Sequence, residues 1–378
     1  MTKITQNNLD TLKACRYCPM CRQSCPSEFI NYRESDAPRG RAMLLHSVYQ
    51  GGKAFDPSVV QAIYNCFLCG ACKSWCAGQN IGGFDIPELV KFARRDMVNR
   101  GFAPKTVQDM KNSLIENENT GNINRKLSYT VSVKEQTAEI LYILGEGVNF
   151  NHHIIADSFI KIFEHLQISY TLLKDEPTSG KELDLLGYRK EAQEKAKTMA
   201  ERINATQCKT IVVADPLVYN ALKNDYAAWG LGLEGEILHV SEYLLSLINS
   251  GKLKLQQVNK HVTLVDSEYL GRYNGVYDAP REVIKSITGG ELTEMQWNRE
   301  YLQSTGEAAF TFDESPFNRG KELGRKISRK AEETGAEIII TLSATAKDNI
   351  SSTTSLKVMD IAEFIKINLP GDELQLQS

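Results

Sequence analysis

Apolar positions recur at helical intervals through the first third of the chain. Arg41-Ala-Met-Leu-Leu-His-Ser-Val-Tyr49 has this spacing and is introduced by Pro38-Arg39-Gly40. Asp56-Pro57 reads as the cap of a helix over Ser58–Tyr64. Pro87 opens Glu88–Asn99, a charged amphipathic helix that Gly101 ends. Residues Asn117–Asn124 are rich in Asn and Gly and read as a linker. From Glu139 the pattern changes to short apolar runs alternating with amphipathic ones. Glu139–Leu144, Ile168–Leu173, Thr210–Ala214 and Glu236–Val240 read as strands, with helices at Ile154–Leu166 and Asp184–Asn204 between them. A second series follows: strand His261–Asp266, helix Glu282–Ile287, the short run Leu292–Met295, helix Gly320–Thr334 and strand Glu337–Thr341. Such alternation predicts an α/β fold with mainly parallel strands, and the matching order of the two series suggests an internal duplication.

The expected fold class is therefore α+α/β. A helical domain spans 1–120, a linker 121–136, and two α/β repeats span 137–256 and 257–378. A length of 378 residues suits two or three domains. With 42% hydrophobic and 24% charged residues, the composition is that of an ordinary globular protein. A net charge of -3, with no long basic block, gives no electrostatic support for nucleic acid binding. No apolar signal core opens the chain, and no run of about 18 apolar residues suggests a membrane span.

Eight of the nine cysteines change this picture. They form Cys15-x-x-Cys18-x-x-Cys21-x-x-x-Cys25-Pro26 and Cys66-x-x-Cys69-x-x-Cys72-x-x-x-Cys76-Ala77. This is the spacing of bacterial two-cluster ferredoxins, in which three cysteines of a run hold one [4Fe–4S] cluster and the fourth crosses to the other. A tight loop presents three thiolates to a cubane, and the remaining iron corner faces away. The expected ligands are Cys15, Cys18, Cys21 and Cys76 for one cluster, and Cys66, Cys69, Cys72 and Cys25 for the second. Zinc favours paired C-x-x-C units instead. A disulfide framework suits short secreted chains. Thiolate-held clusters fit a reducing cytoplasm.

Arg16, Arg22, Arg39, Arg41 and Lys73 flank the cysteine loops. Positive charge there would raise a cluster's reduction potential, although ordinary surface residues would read the same way. Phe67, Leu68 and Trp75 are expected to shield the second run from water. Cys208 reads as a small core residue. The six histidines are scattered, and the neighbours His152 and His153 point apart. Glycine groups such as Gly289-Gly290 lack a strand–GxGxxG–helix context. No nucleophile elbow is present, so no catalytic residue is expected.

Two ferredoxin-type runs followed by a duplicated α/β unit resemble the CCG-domain iron–sulfur proteins. These include the iron–sulfur subunit of glycolate oxidase, the C-type subunit of anaerobic glycerol-3-phosphate dehydrogenase and the D-type subunit of heterodisulfide reductase. The C-terminal stretch Val265–Val283, VDSEYLGRYNGVYDAPREV, is similar to a family string that carries a cysteine at the place of Glu268. The other cysteines expected from the resemblance are also replaced. Glu146 follows Gly145, and Thr178-Ser179-Gly180 and Ser304-Thr305-Gly306 stand for Cys-Cys-Gly. Asp215-Pro216-Leu217-Val218 and Ser343-Ala344-Thr345-Ala346 stand for Cys-Pro-x-Cys. In heterodisulfide reductases those cysteines are associated with noncubane clusters that cleave a disulfide. A single thiol after Cys76 cannot hold one, and oxygen ligands are poor substitutes. The resemblance thus implies an electron-transfer subunit whose C-terminal module keeps its fold as a docking scaffold. Electrons would pass from a partner flavoprotein, oxidising a 2-hydroxy acid or similar, to a quinone, an electron-transferring flavoprotein or another iron–sulfur subunit. Membrane association would run through a partner. The alternatives are a heterodisulfide-reductase-like catalytic subunit, which the missing thiols disfavour, and a noncatalytic assembly protein.

Overall fold

The computed structural model describes residues 4, 6–76, 78, 85–130, 138–308 and 319–370. The N-terminal region is built of helices, several of them started by proline: Pro26–Asn31, Pro38–Tyr49 and Pro57–Tyr64. Proline suits a first helical turn because its fixed φ is already helical and its missing N–H has no partner there. Asp56 accepts from Val59 N at 3.0 Å, and Asp85 caps Ile86–Asn99 by accepting from Glu88 N at 3.0 Å. Leu45, Val59, Ile63, Leu89, Val90 and Met97 pack between these helices. Two further helices, Gln6–Ala14 and Lys105–Glu116, complete the layer.

Two parallel sheets follow. The first has the order β2-β1-β3-β4, with β1 Ile140–Ile143, β2 Tyr170–Leu172, β3 Thr210–Val213 and β4 Glu236–His239. Its register sets Ile140 beside Tyr170 on one edge and Thr210 on the other. The second has the order β5-β6-β7, with β5 Val262–Leu264, β6 Ile338–Thr341 and β7 Lys357–Asp360. Every residue of β1 and β6 is buried. A parallel strand covered by helices on both faces reads as such an unbroken apolar run. One core cluster runs through both sheets, from Ala138 to Leu369. The helix His153–His165, which follows β1, packs against Ile361–Lys366, which follows β7. The helix Val240–Asn249, which follows β4, packs against Asp278–Lys285, which follows β5.

The structure differs from the expected elements in several places, the added strand β7 among them. The long helix over Asp184–Asn204 is two helices, Lys181–Leu186 and Arg189–Ala205. They break at Gly187, whose φ of 103° only glycine adopts freely. The short run Leu292–Met295 is neither helix nor strand, and Thr293 N bonds to Val262 O at 2.9 Å. The stretch Asn117–Asn124 is a tied loop. Asn119 is buried and donates to Asn117 O and Ile123 O, while its Oδ1 accepts from Ile123 N. Of the expected linker 121–136, residues 131–136 lie outside the described residues. Among the described residues, no helix is long and apolar enough to cross a membrane.

Candidate iron–sulfur site

The cysteine runs turn through the same local shape. Tyr17 and Leu68, the residues just before Cys18 and Cys69, both take left-handed conformations, with φ of 54° and 52°. Such a conformation costs a bulky side chain energy, so it marks a turn that the surroundings impose. Each run then leads into a short helix, Pro26–Asn31 after the first and Ala71–Ser74 within the second.

Two cavities collect the thiols. One, of about 300 Å³, is lined by Cys15, Cys18, Cys21, Cys72 and Cys76 together with Tyr17, Met20 and Arg39. The other is much tighter, about 20 Å³, and is lined by Cys25, Cys66, Cys69 and Cys72 with Arg41 and Leu68. The fourth cysteine of each run thus lies with the first three of the other, and Cys72 borders both. The electrostatics agree. Burial, then the neighbouring Cys15, pushes the Cys21 thiol up to about 12, with Cys76 also contributing. Burial, then Glu268, pushes Cys69 up to about 12, and Cys25 is among its neighbours. Thiols this reluctant to ionise alone become strong ligands when a metal replaces the proton. The donor set is all sulfur, which fits an iron–sulfur group. Among the described residues, no three His, Cys, Asp or Glu side chains close on a single metal ion.

The second group of thiols is surrounded by buried cations and tyrosines. Arg41 is 1% exposed. It donates to Ala62 O at 2.7 Å, to Ser27 Oγ at 3.0 Å and to Cys25 Sγ at 3.8 Å. Arg94, also buried, donates to Ile63 O, Tyr64 O, Cys66 O and Leu185 O. A segment from the second sheet closes the loop. Tyr269 and Tyr273 stack at 4.8 Å, and both hydroxyls donate to Leu68 O, at 3.2 and 2.7 Å. Arg272 donates to Cys69 O at 3.0 Å. Of the flanking cations weighed from sequence, only Arg41 is buried against a thiol. Arg22 and Arg39 pair with Glu28 and Glu34, Lys73 pairs with Asp85, and Arg16 is exposed. Phe67 and Leu68 are buried as expected, and Trp75 packs edge-on against Trp297 and Tyr301. Arg94, Arg272, Tyr269 and Tyr273 were not foreseen. Tyr269, Arg272 and Tyr273 lie in the stretch Val265–Val283 that carries the resemblance, which assigned them no role, and Arg94 carried no sequence signal.

Several positions where the resemblance expects cysteine lie just after the carboxyl ends of strands. Glu146 follows β1 and Asp215 follows β3. Glu268 Oε1 accepts from Ser304 Oγ, from Thr305 N at 2.7 Å and from Gly306 N at 3.2 Å. Ser343 Oγ caps the helix Ala344–Ser351 by accepting from Ala346 N at 3.2 Å. Cys208 is buried, away from the other thiols, with its Sγ against Thr206 O.

Residues 11–80 match the family described as the 4Fe-4S dicluster domain. Relatives align over far more of the chain. It is 25% identical to the Bacillus subtilis protein named probable iron-sulfur-binding oxidoreductase FadF, over 98% of this chain and 62% of that one. It is 25% identical to the D-type subunit of the dihydromethanophenazine:CoB–CoM heterodisulfide reductase of Methanosarcina barkeri, over 99% of this chain and 97% of that one. It is 24% identical to the EtfAB:quinone oxidoreductase of Syntrophomonas wolfei, over 81% of this chain and 46% of that one. The chain therefore spans less than two thirds of the FadF relative. The fold resembles the crystal structure of a hypothetical protein from Helicobacter pylori, with a TM-score of 0.56 at 10% identity, covering 97% of this chain and 73% of that one. Sulfur donors, cysteine spacing and whole-chain alignment converge: this is a [4Fe–4S] protein, homologous to the D-type subunits of heterodisulfide reductase and to FadF-like iron–sulfur oxidoreductases, with a dicluster domain at its N-terminal end.

Proposed function

We propose that the protein is the electron-transfer iron–sulfur subunit of a multi-subunit flavin-dependent oxidoreductase. It would hold two [4Fe–4S] clusters, one on Cys15, Cys18, Cys21 and Cys76, the other on Cys66, Cys69, Cys72 and Cys25. The observation that supports this most is the pair of thiol-lined cavities with Cys72 at the border of both. When bound there, clusters of this type exchange single electrons. Arg41 and Arg94 place positive charge beside the second group of thiols, which favours added negative charge. Tyr269, Tyr273 and Leu68 exclude water from it. The exposed Cys18 and Met20 make the first group the natural contact for a redox partner.

A flavoprotein donor, and an acceptor such as a quinone, an electron-transferring flavoprotein or another iron–sulfur subunit, follow from the kinds of complexes the relatives are named for. The α/β half is a duplicated module in this reading. The strands β1-β3-β4 correspond to β5-β6-β7, and the exchanged helix contacts repeat the same relation twice. Disulfide reduction is disfavoured because Cys208 is the one thiol after Cys76.

Anaerobic purification should yield about eight irons per chain, the sum of two cubanes. The chain alone should neither oxidise a hydroxy acid nor reduce a disulfide, and a substrate-reduced partner flavoprotein should reduce it. Clusters that stay redox-silent across roughly −700 to +450 mV would instead indicate an assembly protein.

A further inference from the structure

The carboxyl ends of the two sheets enclose a space of about 200 Å³ with no cysteine in its walls. Four carboxylates from separate segments line it, Glu146 after β1, Glu182 on Lys181–Leu186, Asp215 after β3, and Glu307; a fifth, Asp348, lines it beside His152. Among the described residues none of the four forms an ion pair. Lys181, beside Glu182, turns its ammonium to Asn220 Oδ1 and Asp225 Oδ2 instead. Glu307 is 5% exposed. Its Oε2 accepts from Ser267 Oγ at 2.8 Å and Glu268 N at 3.0 Å, while its Oε1 is buried without a hydrogen-bond partner among the described residues. The adjoining residues 309–318 contain no lysine, arginine or histidine.

The location is one at which open parallel sheets bind ligands. In the order β2-β1-β3-β4 the chain leaves β1 in one direction and returns to place β3 on its other side. Crevices at such a reversal, outside the carboxyl ends of the strands, are the usual binding sites. Glu146 and Asp215 follow these two strands. Gly145, at φ 78°, lets them approach, since a Cβ there would stand 2.3 Å from Asp215 Cβ.

Buried carboxylates without countercharge are costly. Burial, then the neighbouring Glu182, pushes Asp215 up to about 7. Burial first and like-charged neighbours second also raise Glu146 and Glu307, and burial raises Glu182. Other titratable groups at this seam are Glu268, the charged neighbour of Glu307 whose Oε2 is also buried without a hydrogen-bond partner among the described residues, Glu176, which accepts from Leu144 N and Gly145 N, and the pair His152 and Asp348, 3.8 Å apart across the two sheets. The carboxylates stand around a volume and do not meet at a point, and no three of them are placed to hold one metal ion. That arrangement suits a ligand carrying several separated N–H donors and positive charge.

We propose that the cavity formed by Glu146, Glu182, Asp215 and Glu307 binds a small organic cation, a primary amine or guanidinium compound, through charged N–H···O contacts. The test is calorimetric titration of the full-length, cluster-loaded protein with 1,4-diaminobutane and with guanidinium, each in buffers of different ionisation enthalpy. We expect one of them to saturate at one per chain and to release protons at pH 7, because carboxyls kept neutral by burial ionise against the cation. Glu146→Gln with Asp215→Asn should weaken binding roughly 10- to 100-fold, as loss of a charged hydrogen bond does, while iron content stays unchanged. If that double variant fails to fold, Glu182→Gln carries the same expectation. The proposal is overturned if neither probe saturates, if the variants bind as the parent does, or if Mg²⁺ or Ca²⁺ saturates the site and both amines are excluded.

Discussion

Cys18 of the first run is exposed, whereas Cys69, its counterpart in the second, is buried beneath Tyr269, Arg272 and Tyr273. The spacing of the two runs is the same, and so is the left-handed residue before each of these cysteines. What differs is what the rest of the chain lays over them. Spacing decides which thiols can meet one cubane. Burial and nearby charge decide how readily the bound group accepts an electron and how fast water reaches it. In the proposed function the first group is the one a partner touches and the second the one kept dry.

The hardest blow to this contrast comes from the proposed crossing ligand. Cys25→Ser should remove the iron held by the second run and lower the total from about eight to about four per chain. Spectra of the reduced protein would show which signal disappears. Loss at the exposed first group would mean that each run serves itself, and the contrast in environments would then be drawn between the wrong sets of thiols.

A smaller effect is expected from Arg41→Met. It strips the charge from the dry group and leaves Ala62 O, Ser27 Oγ and Cys25 Sγ without their shared donor. Stability measured by anaerobic denaturant unfolding should fall by about 3–5 kcal/mol, the usual result of removing one partner from a buried charged network. The second-run potential should move down while the first stays in place. Equal movement of both would show that Arg41 does not distinguish them.

The smallest change is Tyr273→Phe, which deletes one of two hydroxyls on Leu68 O at a cost of about 1 kcal/mol. Iron release to a chelator, followed by absorbance, should quicken for the second group alone. Unchanged kinetics would place the barrier to water elsewhere.

Much of this was legible in advance because periodicity and spacing are local signals. The strands Thr210–Val213 and Ile338–Thr341 stood out as buried apolar runs, and the eight cysteines announced their cofactor. β7 was not legible, because Lys357-Val-Met-Asp360 is a short, half-exposed edge strand that lacks such a run. The helix break at Gly187 hid inside a polar stretch whose helical spacing continues on both sides. The braces on the second run were illegible for another reason. Tyr269 and Leu68 are 201 residues apart, and nothing in either neighbourhood names the other. The carboxylate cavity combines both difficulties. Glu146 and Asp215 drew notice as replaced positions, but Glu182 and Glu307 join them only when two sheets close together.

That separation of 201 residues also has a consequence in time. A ribosome adding ~5–20 residues per second needs on the order of 10–40 s to pass from Leu68 to Tyr269. For an interval of that length the second cysteine loop is outside the tunnel before its tyrosine cover emerges. Iron delivered to the nascent chain would sit open to oxygen and to competing thiols. Delivery after release would find the loop already roofed, with Arg272 and two phenols to be displaced. Cluster insertion and translation would therefore compete at the second site more than at the first, over which no such pair of tyrosines lies among the described residues.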